Sequence, residues 1–173
     1  MTAVIKEAAR TVSDLIEAER EWAPVLREGH PRWYGRLVTS IAMALGDDPV
    51  SYLSASFRLE RGLDDQSQSF AAEVAVFTET FLVHAQFDGQ ADAVDGFNLL
   101  VIPRAALNIL SVSTSGDAVA NESFDPFAGR TIVDLAYKGH GNVALTLPLA
   151  ASDRVESRKD LLALFASLRN DLR

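Results

Sequence analysis

The sequence predicts an α+β domain: N-terminal helices, a seven-stranded antiparallel barrel or strongly bent sheet, and a C-terminal amphipathic helix. Three observations carry this. Between Phe70 and Pro148, run after run is rich in Val, Ile, Leu, Phe and Thr and is bounded by Gly, Asp, Pro or Ser. Ahead of these runs, apolar residues recur at helical spacing. Behind them, Leu161, Phe165, Leu168 and Leu172 repeat at steps of four, three and four.

The first helix is predicted over 2–23, on a stripe of Ile5, Ala8, Val12, Leu15 and Trp22, with Thr2 as N-cap and Pro24 as its end or kink. Such a stripe suits first a helix that lies on its own domain, and second one that binds a partner or dimerises. A second helix is predicted over 31–45, opened by Pro31 and stopped by Gly46 and Pro49. Trp33, Tyr34, Leu37, Val38, Ile41, Ala42 and Leu45 give it a wide apolar face. Strands are predicted near 51–60, 70–77, 80–88, 96–102, 106–114, 130–138 and 142–148. Thr78-Glu79 and Lys138-Gly-His-Gly141 read as tight reversals, the latter because glycine permits positive φ. The long loop 116–129 carries Phe124 and Phe127, which read as pins to the core. The last helix starts at Ser152 or Asp153, with Ser157 and Asp160, or Asp153 and Glu156, as capping pairs. This divides the chain into an N-terminal helical extension packed on the barrel, 1–49, and the barrel with its closing helix, 50–173.

Composition excludes several function classes. The net charge of −8 argues against a nucleic-acid surface and against docking on anionic lipid. The excess is concentrated between 50 and 152, where 5 basic residues face 12 acidic ones. There is no cysteine, so disulfides, thiolate nucleophiles and Cys-ligated zinc are excluded, and a reducing cytoplasm is the expected location. The N-terminus is interrupted by charge within six residues, unlike a signal peptide, and no uncharged apolar run approaches a membrane span.

Over roughly 50–172 the element order resembles the pleckstrin-homology-like (PH-like) barrel. Locally, Ala75-Val-Phe-Thr-Glu-Thr-Phe-Leu-Val-His84 and Ile102-Pro-Arg-Ala-Ala-Leu-Asn-Ile109 are similar to bacterial members of that superfamily. The resemblance implies either lipid head-group reading or a scaffold for protein contacts. The first needs Lys and Arg on the first two strands and their loop. Here Arg58 and Arg61 stand against Glu60, Asp64 and Asp65, so phosphoinositide binding does not carry over. A helix-grip carrier or a cone-shaped fold, each enclosing an apolar ligand, fits the same element order.

No catalytic, metal or cofactor motif emerges. His30, His84 and His140 are too far apart for a local metal site, and His84 reads as a satisfied strand histidine. Asp88, Asp92 and Asp95 lack calcium-loop spacing and read as a solvated hairpin loop. Phosphate loops and nucleophile elbows are missing, so an enzyme would need a site assembled from distant residues. The most unusual local composition is Arg27, Arg32, Trp33, Tyr34 and Arg36 around Gly29-His-Pro31. Arg and aromatics are enriched at binding hot spots. Trp22, Arg32, Trp33, Tyr34 and Arg36 are therefore the candidate interaction surface of a non-enzymatic, protein-binding domain, with a homodimer or protein partner meeting the N-terminal helices. The same residues also fit a plainer reading, favoured here, in which Trp33 and Tyr34 are core and the arginines pair with Glu28 and nearby acids.

Overall fold

The computed structural model describes residues 2–27, 29–61, 68–90, 93–115, 130–139, 143–150 and 155–172. The 62–67 and 116–129 loops, His140 and Ser152 to Arg154 lie outside this set, and so do the expectations placed on them. The elements run α1 (Ala3–Glu17), α2 (Ala23–Leu26), α3 (Arg32–Leu45), β1 (Tyr52–Arg61), β2 (Gln68–Phe77), β3 (Phe81–Gln90), β4 (Ala93–Pro103), a 3-10 turn (Arg104–Ala106), β5 (Leu107–Ser115), β6 (Arg130–Tyr137), β7 (Ala144–Leu147) and α4 (Val155–Asp171). The fold is α+β, with the predicted strands in the predicted order.

Those strands do not form one barrel. They make two antiparallel sheets, β1-β2-β3-β4 and β5-β6-β7. The break falls where β4 ends in Pro103, which has no N–H to donate, and the 3-10 turn redirects the chain into β5. At the other end β7 is only four residues long. Among the described residues no ladder joins the outer strands of one sheet to the other.

The first helix is shorter than its stripe suggested. α1 stops at Glu17, and a turn carries the chain to α2, where Pro24 sits in the first turn instead of ending a helix. The buried residues of α1 are Val12 and Ile16, while Leu15 is 38% exposed. α3 matches expectation and ends at Gly46, whose φ of 63° suits glycine. Together α1 and α3 cover the near face of the four-stranded sheet. There Ala55, Phe57, Phe70, Ala72, Val74, Val76, Val83, Ala85 and Phe87 share a core with both helices.

A second core lies behind the same sheet. Tyr52, Ala75, Phe77, Leu82 and Ile102 project from its far face and meet Val133, Leu135, Tyr137, Leu145 and Leu147 of the second sheet. α4 closes this core with Leu161, Leu164 and Leu168. The seam thus runs at steps of three and four, but through Leu164; Phe165 is half-buried and Leu172 is 44% exposed. The reason is the adjoining flank. Ser167 and Asp171 turn toward Arg104, which is 4% exposed. Its guanidinium donates to Asp171 Oδ2 at 2.7 Å, Ser167 Oγ at 2.7 Å and the Thr78 carbonyl at 2.9 Å.

Two consequences for stability follow. Arg104→Met strips three acceptors of a buried charged donor and should cost about 3–5 kcal/mol in urea unfolding, the range for breaking a buried pair from one side. Leu168→Ala should cost about 2–5 kcal/mol. A loss near zero for either would place α4 off the sheet.

Candidate functional site

The five residues expected to form one surface divide between inside and outside. Trp22, Trp33 and Tyr34 are buried. The Trp22 ring lies 5.3 Å from Phe57, 6.0 Å from Phe87 and 6.3 Å from Trp33, and Trp33 stacks on Phe70 at 4.9 Å. These aromatics join α2 and α3 to β1, β2 and β3. Each buries a large apolar surface, so an alanine there would open the core instead of releasing a partner. Arg32 and Arg36 remain outside, and the Arg36 guanidinium lies 5.5 Å from the centroid of Phe97.

A surface unforeseen from the sequence lies on the N-terminal helices. A cleft of about 480 Å³ opens between α1 and the α3–β1 turn. Val4, Ala8, Leu45 and Val50 give it apolar walls, and Glu7, Asp47 and Asp48 line it with carboxylates. Val4 is 49% exposed. Asp48 is fixed in place by Thr80 Oγ1, which donates to its Oδ2 at 3.2 Å.

The other polar assembly occupies the far face of the four-stranded sheet, beyond the second core. Register sets it out in rows. Ser54, Ala75, His84 and Leu100 form one, Ser56, Glu73, Gln86 and Asn98 the next, and Arg58, Ala71, Asp88 and Gly96 the third. Side chains along a strand alternate faces, so these polar positions share one side. Of these, Ser56, Arg58, Glu73, Gln86 and Asp88 line an open groove of about 280 Å³. At its back His84, buried as its strand position predicts, donates from Nε2 to Glu73 Oε1 at 2.6 Å, and Gln86 Nε2 donates to the same oxygen at 3.2 Å. The hydrogen bond from His84 holds the Glu73 carboxyl below its ordinary value against the opposing effect of burial, helped by the charges of His84 and Arg58. Among the described residues no hydroxyl is hydrogen-bonded to His84. Nor do three His, Asp or Glu side chains converge as metal ligands among them.

The period-two polar pattern at 54, 56, 58 and at 84, 86, 88 was the available signal for this groove. It becomes a site only once the register is known. Comparison with protein-family models, curated proteins and solved structures gave no match.

The Glu73 carboxyl titrates lower in the folded chain than its ordinary value of 4.5. Its contribution to stability is therefore complete above that value and is lost as pH falls through the lower, folded value. The urea midpoint of the wild type should drop faster on acidification than that of Glu73→Gln. The two curves should converge in acid, and parallel curves would contradict the assignment.

Proposed function

We propose that this chain is a non-enzymatic, PH-like protein-interaction domain of the cytoplasm, and that its contact surface is the cleft between α1 and the α3–β1 turn. Two consecutive antiparallel sheets of four and three strands, with a C-terminal helix against the second, support the PH-like reading. The cysteine-free composition supports a reducing compartment. The observation that carries the function is the cleft itself. It exceeds the roughly 300 Å³ lower bound of usual ligand sites, and it combines apolar walls with three carboxylates.

That chemistry selects its occupant. The partner is a protein segment that seats an aliphatic side chain between Val4 and Leu45 and brings Lys or Arg to Glu7 and Asp47. An anionic lipid head group would meet like charge there. The net charge of −8 adds long-range attraction for a basic segment.

Fluorescence anisotropy with a labelled leucine peptide flanked by lysines tests this. Binding should weaken as salt rises. Reversing both rim charges, Glu7→Lys with Asp47→Lys, should weaken it about tenfold or more, and Val4→Asp should remove it. Binding that ignores salt and all three changes, or no binding at all, would overturn the proposal. So would retention on phosphoinositide vesicles.

A further inference from the structure

The groove on the far face of the four-stranded sheet is independent of that cleft, and its polar groups are unspent. Ser56 is 6% exposed and lines the groove, yet its hydroxyl has no hydrogen-bond partner among the described residues. Both bonds to Glu73 fall on Oε1, and among the described residues Oε2 has no hydrogen-bond partner. Arg58 and Asp88 are exposed and, among the described residues, neither is ion-paired. A native sheet ordinarily pairs opposite charges that can reach each other. Here they stand in one row with Ala71 between them, two strand spacings apart, about 9.6 Å at the backbone.

The small residues make the space. Ala71 raises only a methyl group from the floor. Across β3, Gly96 leaves room for the Asp88 carboxylate to lie over it, since a Cβ at Gly96 would come within 2.5 Å of Asp88 Oδ1. The groove therefore has a guanidinium at one wall and a carboxylate at the other. Behind them wait a hydroxyl, a free carboxylate oxygen on Glu73 and the side-chain carbonyl of Gln86.

We propose that this groove binds a small polar α-amino acid as its zwitterion. Arg58 donates to the ligand carboxylate and Asp88 accepts from the ligand ammonium. Glu73 Oε2 and the Gln86 carbonyl accept from N–H or O–H donors on its side chain, while Ser56 serves as donor or acceptor. A lone anion meets Glu73 and Asp88 in the same groove, and a lone cation leaves the Arg58 guanidinium without an acceptor, so the zwitterion makes contacts that neither half makes alone. A groove of about 280 Å³ with polar walls accommodates a side chain of the size of serine or glutamine.

Isothermal titration calorimetry with L-serine, L-glutamine, L-lysine, L-leucine, acetate and methylamine tests the proposal. At least one of the three polar amino acids should saturate in the millimolar range or tighter, with L-leucine, acetate and methylamine each weaker by roughly tenfold or more. Amide shifts on titration should be confined to β1, β2 and β3. Arg58→Met and Asp88→Asn should each lower affinity roughly tenfold, and Ala71→Leu should fill the floor and abolish binding. Arg58 is exposed, so its variant keeps the test valid even if Ala71→Leu disturbs the sheet. The proposal is overturned if none of the polar amino acids saturates, if methylamine or acetate matches them, or if Arg58→Met binds as the wild type does.

Discussion

The Arg104 guanidinium is the constraint on which the relation between the two sheets depends. It sits in the turn that ends the first sheet and begins the second, and it binds the reversal between β2 and β3 as well as the last helix. A buried cation tolerates no vacancy around it, because desolvation must be offset by hydrogen bonds from every side. Its backbone N–H is also spoken for, donating to the Thr80 carbonyl at 2.9 Å. The β2–β3 reversal is rigid on its own account: Thr78 Oγ1 accepts from the amides of Thr80 and Phe81 at 3.2 and 3.1 Å. One side chain therefore fixes α4 to a stiff corner. The leucine seam then has a defined sheet to cover.

The four-stranded sheet is consequently a middle layer, covered on its near face by α1 and α3 and on part of its far face by the second sheet and α4. This accounts for the apolar character of β2, where Val74, Ala75, Val76 and Phe77 are all buried in succession. It also makes the N-terminal helices part of the fold. Trp22, on a turn between two helices, is wholly buried against Phe57 of β1, Phe87 of β3, and Trp33 and Tyr34 of α3. The edge of β1 is capped from the same turn, where Glu21 Oε2 accepts from the Phe57 amide at 3.2 Å.

Element order was legible in the sequence because its signals are local. Alternation, a Gly46 stop and a Thr78-led reversal each act within a few residues. The grouping of strands was not, because nothing local states whether β4 or β7 will find a partner at its free edge. The extent of α1 was misread for a similar reason: Trp22 continues the apolar stripe, but its burial requires the chain to leave the helix at Glu17 and turn. Trp33 and Tyr34 fit both a core and an interface in the sequence, since the two recruit the same residue types, and the structure places them, with Trp22, in the core. His84 was legible as a satisfied strand histidine, yet its partner Glu73 lies eleven residues away and becomes a neighbour only through the register.

The polar groove lies on the part of the far face that the second core does not include. β1, β2 and β3 each run ten residues, while β5, β6 and β7 run nine, eight and four, so the second sheet is shortest at β7. The cover can reach only part of the far face. Leu149 marks one limit, where its amide donates to Ser54 Oγ at 2.9 Å. On the covered side the same strands carry Tyr52, Phe77 and Leu82; past Ser54 the sequence changes to Ser56, Arg58, Glu73, Gln86 and Asp88. Mere exposure would explain polar residues there. The residue types there do not come from exposure alone: small Ala71 and Gly96 stand beside Arg58 and Asp88, which form no ion pair among the described residues, and the Ser56 hydroxyl faces the same open groove. The register, by setting these residues in adjoining rows, makes one polar surface of positions that lie far apart in the chain.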